Sequence, residues 1–137
     1  KLKENAPSPN PAYQIAALQF RIGNVGSAVK AVNEIIQDDK AKEDKVVIYF
    51  QMQGQQLAQV VPVQAAAYNL RGVVAQQQDK ADIAAQNYKA ALKMANNFTL
   101  ALQNLNTVDA EAAEQFVESA RVETQLGQEG GAPRVGQ

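Results

Sequence analysis

The chain has 137 residues, 46% of them hydrophobic, with 13 Lys and Arg against 14 Asp and Glu. That length suits one domain with a real core, and the near-balance of charge speaks against nucleic acid or anionic lipid, which need a strong basic field. Cys, His and Trp are absent, which removes thiolate nucleophiles, imidazole bases and zinc sites of the common Cys/His type.

Lys1 to Pro9 reads as an extended linker, because Pro7, Pro9 and Pro11 each turn the preceding residue away from a helical conformation. A start at Lys1 with a proline-rich entry reads as a processed or truncated N-terminus. The domain proper is expected over residues 10–126, with a flexible glycine-rich tail over 127–137. A first helix is predicted from Pro11 to Ile22, a turn over Gly23 to Gly26, and a second helix carrying Ala28, Val29, Val32, Ile35 and Ile36 at helical spacing. The mixed-sign run from Gln37 to Lys45 reads as a solvated connection.

The stretch Val46 to Val61 is ambiguous, since VVIYF is rich in β-branched and aromatic residues. Val46, Val47, Phe50, Gly54, Leu57 and Val61 fall on one helical face, and no other segment offers a partner strand, so a helix ending before Pro62 is predicted. The clearest pattern follows, from Tyr68 to Asn97. Leu70, Val73 and Val74 mark one helix, and Ala81, Ala84, Tyr88, Ala91, Leu92 and Ala95 mark the next. Gln76 to Gln78 closes the first of these and Asp79 is the expected N-cap of the second. Gly72 inside a helix costs roughly 1 kcal/mol relative to alanine, so close approach by the facing helix is expected there. Beyond Asn97 a short helix from Thr99 to Asn106, a turn over Thr107 to Asp109 and a last helix with Ala113, Val117 and Ala120 are predicted.

Aligned on Gly72, the stretch from Ala65 to Asn97 resembles a tetratricopeptide repeat: Tyr68 takes the large-residue slot, Ala84 the small one, Tyr88 the aromatic one and Ala91 the second alanine. Arg71 stands in the early leucine slot and Asn96 in the late proline slot, which departs from the family pattern. Weaker resemblance covers Asn10 to Ile36 and Phe98 to Val122. It implies an all-α fold of antiparallel hairpins stacked in a short right-handed solenoid, with one extra or inserted helix and about seven helices altogether. The insertion follows from spacing: Ala28 to Ala84 is 56 residues, well beyond one repeat period of about 34.

The resemblance further implies a concave surface that receives a peptide or a partner helix. The family's groove-facing slots fall on Ala66, Asn69, Val73, Gln76 and Gln77, and in the first hairpin on Asn10, Tyr13, Ala17, Phe20 and Arg21. Tyr13 and Phe20 suit the core equally well. Arg21 and Asn69 alone do not complete the family's carboxylate clamp. Carboxylate pairs such as Asp38 with Asp39 lie in a solvated run, so no catalytic constellation, cofactor or metal is expected. The expected function is therefore a non-catalytic protein-protein interaction scaffold. A self-association module, or a fragment of a longer repeat protein, is the alternative. The missing initial Met, the proline-rich entry and the lack of Cys favour a bacterial periplasmic or envelope setting, in an envelope or secretion-assembly complex.

Overall fold

A computed structural model describes residues 11–119. The linker and tail expected over 1–9 and 127–137, and the groove slot at Asn10, lie outside the described residues. Six α-helices and one two-stranded sheet make up the described chain: α1 Pro11–Arg21, α2 Val25–Gln37, β1 Lys45–Met52, β2 Gln55–Pro62, α3 Val63–Gln77, α4 Ala81–Met94, α5 Thr99–Val108, and α6 over 110–119. A single 3-10 turn, Asp39–Ala41, joins α2 towards β1, with Asp38 Oδ1 accepting the Lys40 N–H at 2.9 Å.

Helices succeed one another in space as they do along the chain. α1 packs on α2, α2 on α3, α3 on α4 and α4 on α5, while α1 also reaches α3. Each helix buries a stripe against its neighbours, and the largest fully enclosed side chains, Tyr88, Phe98, Leu92, Leu105, Val32, Val61 and Val63, come from every layer except α1 and α6. The joint between the first hairpin and the rest is polar. Gln64, buried in the first turn of α3, donates through Nε2 to the carbonyls of Ile35, Ile36 and Asp38 at 3.1, 3.3 and 2.9 Å. It thereby satisfies the end of α2, whose last carbonyls have no partner within their own helix.

The α3–α4 hairpin meets the expectation set by its small residues. Ala84 and Ala91 are fully buried, and a Cβ placed on Gly72 would lie 2.5 Å from Cε1 and 2.7 Å from Cδ1 of Tyr88. The glycine is there because the Tyr88 ring lies on its Cα. The Tyr88 hydroxyl donates to Gln76 Oε1 at 2.6 Å. One detail differs: the N-cap residue of α4 is Lys80, without a side-chain bond, while Asp79 takes φ 61° and closes the turn. Asp79 acts through its tolerance of left-handed backbone rather than through its carboxylate.

The all-helical expectation is corrected over Val46 to Val61. This stretch is the antiparallel hairpin β1–β2, in register from Lys45 opposite Pro62 to Met52 opposite Gln55. Gln53 at φ 53° and Gly54 at φ 81° form its two-residue loop, the left-handed pairing whose twist suits a tight hairpin. The partner strand of VVIYF is thus the second half of the same stretch. Burial alternates along β1, with Val46, Ile48 and Phe50 inside and Lys45, Val47, Tyr49 and Gln51 outside. A period of two wins because Val46, Ile48, Phe50 and Val61 reach the core only in that register, each burial contributing about 1.5 to 3 kcal/mol. The neck is closed by the Val63 N–H donating to the Asp44 carbonyl at 2.8 Å.

Candidate protein-docking site

The residues assigned from the sequence to a concave groove do not form one open surface. On α3, Ala66 is fully buried and Asn69 is 3% exposed. Asn69 Oδ1 accepts from Asn104 Nδ2 of α5 at 3.0 Å, so the next hairpin covers the position where an exposed backbone-binding amide was expected. Val73 is half-buried against the core, and Gln76 is half-buried with its side-chain oxygen taken by Tyr88. Gln77 alone of the α3 set is exposed. The stripe Asn69, Val73, Gln77 is therefore broken at its first member.

On α1, Tyr13, Ala17 and Phe20 are half-buried and packed against the core, while Arg21 is exposed. Burial pushes the Tyr13 phenol up to about 12, the direction expected when the charged form loses water. Tyr13 and Phe20 thus pack against the core and do not stand on an open groove.

The hairpin that the helical reading missed carries the most open apolar surface in the middle of the chain. Its inner face docks on α3, and two glutamine amides tie it to α5. Gln59 Oε1 accepts the Thr99 N–H at 2.8 Å, and Gln59 Nε2 donates to the Asn97 carbonyl. This caps an α5 N-terminus whose own N-cap, Phe98, has no side-chain acceptor. Gln103 Nε2 donates to the Gln51 carbonyl at 3.0 Å. The outer face shows Tyr49 at 63%, Val60 at 47% and Val47 at 39% exposure, with exposed Ala58 opposite Tyr49.

Backbone direction follows from the loop. A two-residue loop closes on a pair that exchanges both hydrogen bonds, here Met52 with Gln55, and the alternation of antiparallel pairing then turns Gln51, Tyr49 and Val47 outward on β1 and Gln56, Ala58 and Val60 outward on β2. The Gln103 bond to the outward Gln51 carbonyl agrees with this. The β2 edge presents the N–H and C=O groups of three residues, and the run from Gln55 to Pro62 contains no charged side chain. Sheet edges are usually blunted by Lys, bulges or coverage, because an open edge pairs with any extended chain. The sequence signals were the alternation in KVVIYFQM, the Gln53–Gly54 pair and the uncharged QQLAQVV that follows.

A cleft of about 370 Å³ lies elsewhere, between α2, α3 and α4, with Tyr68, Arg71 and Lys80 in its wall. No helix among the described residues is long and apolar enough to cross a membrane. No family model, curated protein or solved structure matches the chain.

Proposed function

We propose that this protein is a non-catalytic interaction scaffold of tetratricopeptide-like build, and that it takes an extended segment of a protein partner along the open edge of β2. The repeat-like part of the reading is supported by neighbour-on-neighbour helix packing, by the Gly72–Tyr88 contact and by the buried Ala84 and Ala91. The docking part is carried by one observation, the uncharged β2 edge with Gln56, Ala58 and Val60 turned outward beside the exposed Val47, Tyr49 and Val60 side chains. Strand addition at such an edge draws affinity from main-chain hydrogen bonds and selectivity from alternate side chains. The groove read from the family pattern contributes at most its open end, Val73 to Gln77 with Arg21.

Ala58→Pro tests the reading. Its N–H points away from β1, so proline removes a donor to the partner and none from the hairpin ladder. Partner recovery from native extract by the full chain should fall more than tenfold with Ala58→Pro, a loss above about 1.4 kcal/mol, while the thermal melt stays near that of the parent. Full recovery by a well-folded variant would move docking away from β2.

Self-association through the same edge is the second reading, favoured by the absence of charge. Two β2 strands pair antiparallel about Ala58 without opposing like charges. Light scattering over a concentration series distinguishes it: a dimer that Ala58→Pro converts to monomer assigns the edge to a second copy.

A further inference from the structure

Arg71 is a half-buried cation whose partners among the described residues are all neutral. Its Nε donates to Asn87 Oδ1 on α4 at 2.7 Å, its Nη1 donates to Asn33 Oδ1 on α2 at 2.8 Å, and its guanidinium carbon lies 5.1 Å from the centroid of the Tyr68 ring. One acceptor is itself held. Asn87 Nδ2 donates to the Ile83 carbonyl at 2.9 Å, which fixes Asn87 Oδ1 towards Arg71. Two amides and an aromatic face orient the guanidinium, and none of them neutralises it. A guanidinium has five N–H donors, of which these two bonds use two, so three remain for a further acceptor.

The same guanidinium lines the 370 Å³ cleft, together with Lys80 from the turn before α4. Among the described residues, no Asp or Glu lines it. The other walls combine apolar Val29, Val74 and Ile83 with the Gln86 amide, and Ile83 is 47% exposed. The volume sits at the lower end of the range for small-ligand pockets. The geometry points to a binding site for a small amphipathic anion, with an oxyanion head group on Arg71 and Lys80 and a short apolar body against Val29 and Ile83. Arg suits the head group because its planar fork matches an oxyanion in two places, and Lys adds a second point charge. This site is independent of the β2 edge and lies on other elements.

The test follows the Arg71 Nε–H signal of the ¹⁵N-labelled full chain by NMR during titration with sodium 4-methylpentanoate, neutral 4-methylpentanamide and inorganic phosphate. The carboxylate should shift the signal saturably, while the amide at equal concentration leaves it in place. Saturation by both anions assigns the head group to oxyanions in general, saturation by 4-methylpentanoate alone assigns it to carboxylates, and saturation by phosphate alone contradicts the apolar half of the site. Lys80→Gln changes an exposed residue, so its melt should match the parent while the dissociation constant rises at least threefold. Arg71→Gln, followed through the backbone amide signals of Ile83 and Asn87 in the cleft wall, should abolish saturation. Should Arg71→Gln fail to fold, Lys80→Gln decides. Absence of a saturable shift with either anion, or an unchanged titration in folded Lys80→Gln, overturns the proposal.

Discussion

The β1–β2 hairpin and the α3–α4 hairpin follow one another directly in the chain, yet they are held by different means. In α3–α4, small residues at the crossing let two helices close on a fully buried tyrosine ring, and ten residues of α3 and six of α4 are buried. In β1–β2 only one face is covered, Val46, Ile48, Phe50 and Val61 supply its buried contacts, and two glutamine amides join it to α5. A two-stranded sheet is marginal by itself and leaves two edges. The helical hairpin therefore supplies stability, and the strand hairpin, resting on it, is free to present an edge.

The largest expected break is Tyr88→Ala. It empties a fully buried site between Gly72 and the α4 core and should cost about 3 to 5 kcal/mol in a denaturant melt. A loss under 1 kcal/mol would show that the hairpin does not depend on the ring. High pH probes the same residue without mutation. Burial raises the Tyr88 phenol from 10.0 to about 12, so the folded chain holds this proton more tightly than the unfolded chain does. Its contribution is fully present below pH 10 and is lost as pH rises towards 12, by roughly 2 to 3 kcal/mol. Tyr13 acts with the same sign. The tyrosine-linked loss should be absent below about pH 9 in both the parent and Tyr88→Phe, and the variant should lose less stability above pH 10.

Gly72→Ala comes next. Helix propensity alone would favour alanine by about 1 kcal/mol, but the added methyl meets the Tyr88 ring, and overpacking should leave a net loss of about 1 to 3 kcal/mol. A variant as stable as the parent would mean that the ring moves aside. The smallest effect belongs to the strand hairpin: Gln59→Ala removes the cap of α5 and should cost about 1 kcal/mol, with faster exchange of the Thr99 amide. Unchanged exchange there would separate the hairpin from α5.

What the sequence made legible follows the same division. Gly72, Ala84, Tyr88 and Ala91 sit at helical spacing with sizes that only a close crossing explains, so the α3–α4 hairpin was readable together with its contacts. The short α5 and the break at Asp109 were readable from the early arrival of Ala113. Val46 to Val61 misled because Val46, Phe50, Leu57 and Val61 fit a helical stripe, while Val46, Ile48 and Phe50 also fit strand alternation. Only Gln53–Gly54, a turn pair weaker than Asn-Gly, separates the two. The groove failed at Asn69 for a tertiary reason. Its amide is buried by Asn104, 35 residues away, and no local pattern announces that contact.

Native-state amide hydrogen exchange of the full chain tests the contrast most directly. Amides in the middle of α3 and α4 should exchange only with global unfolding, those of Leu57, Gln59 and Val61 should open at lower free energy, and the outward amides of Gln56, Ala58 and Val60 should exchange nearly without protection. Protection of Ala58 and Val60 equal to that of α3, at a concentration where the chain is monomeric, would contradict an open β2 edge and with it the docking surface assigned to it.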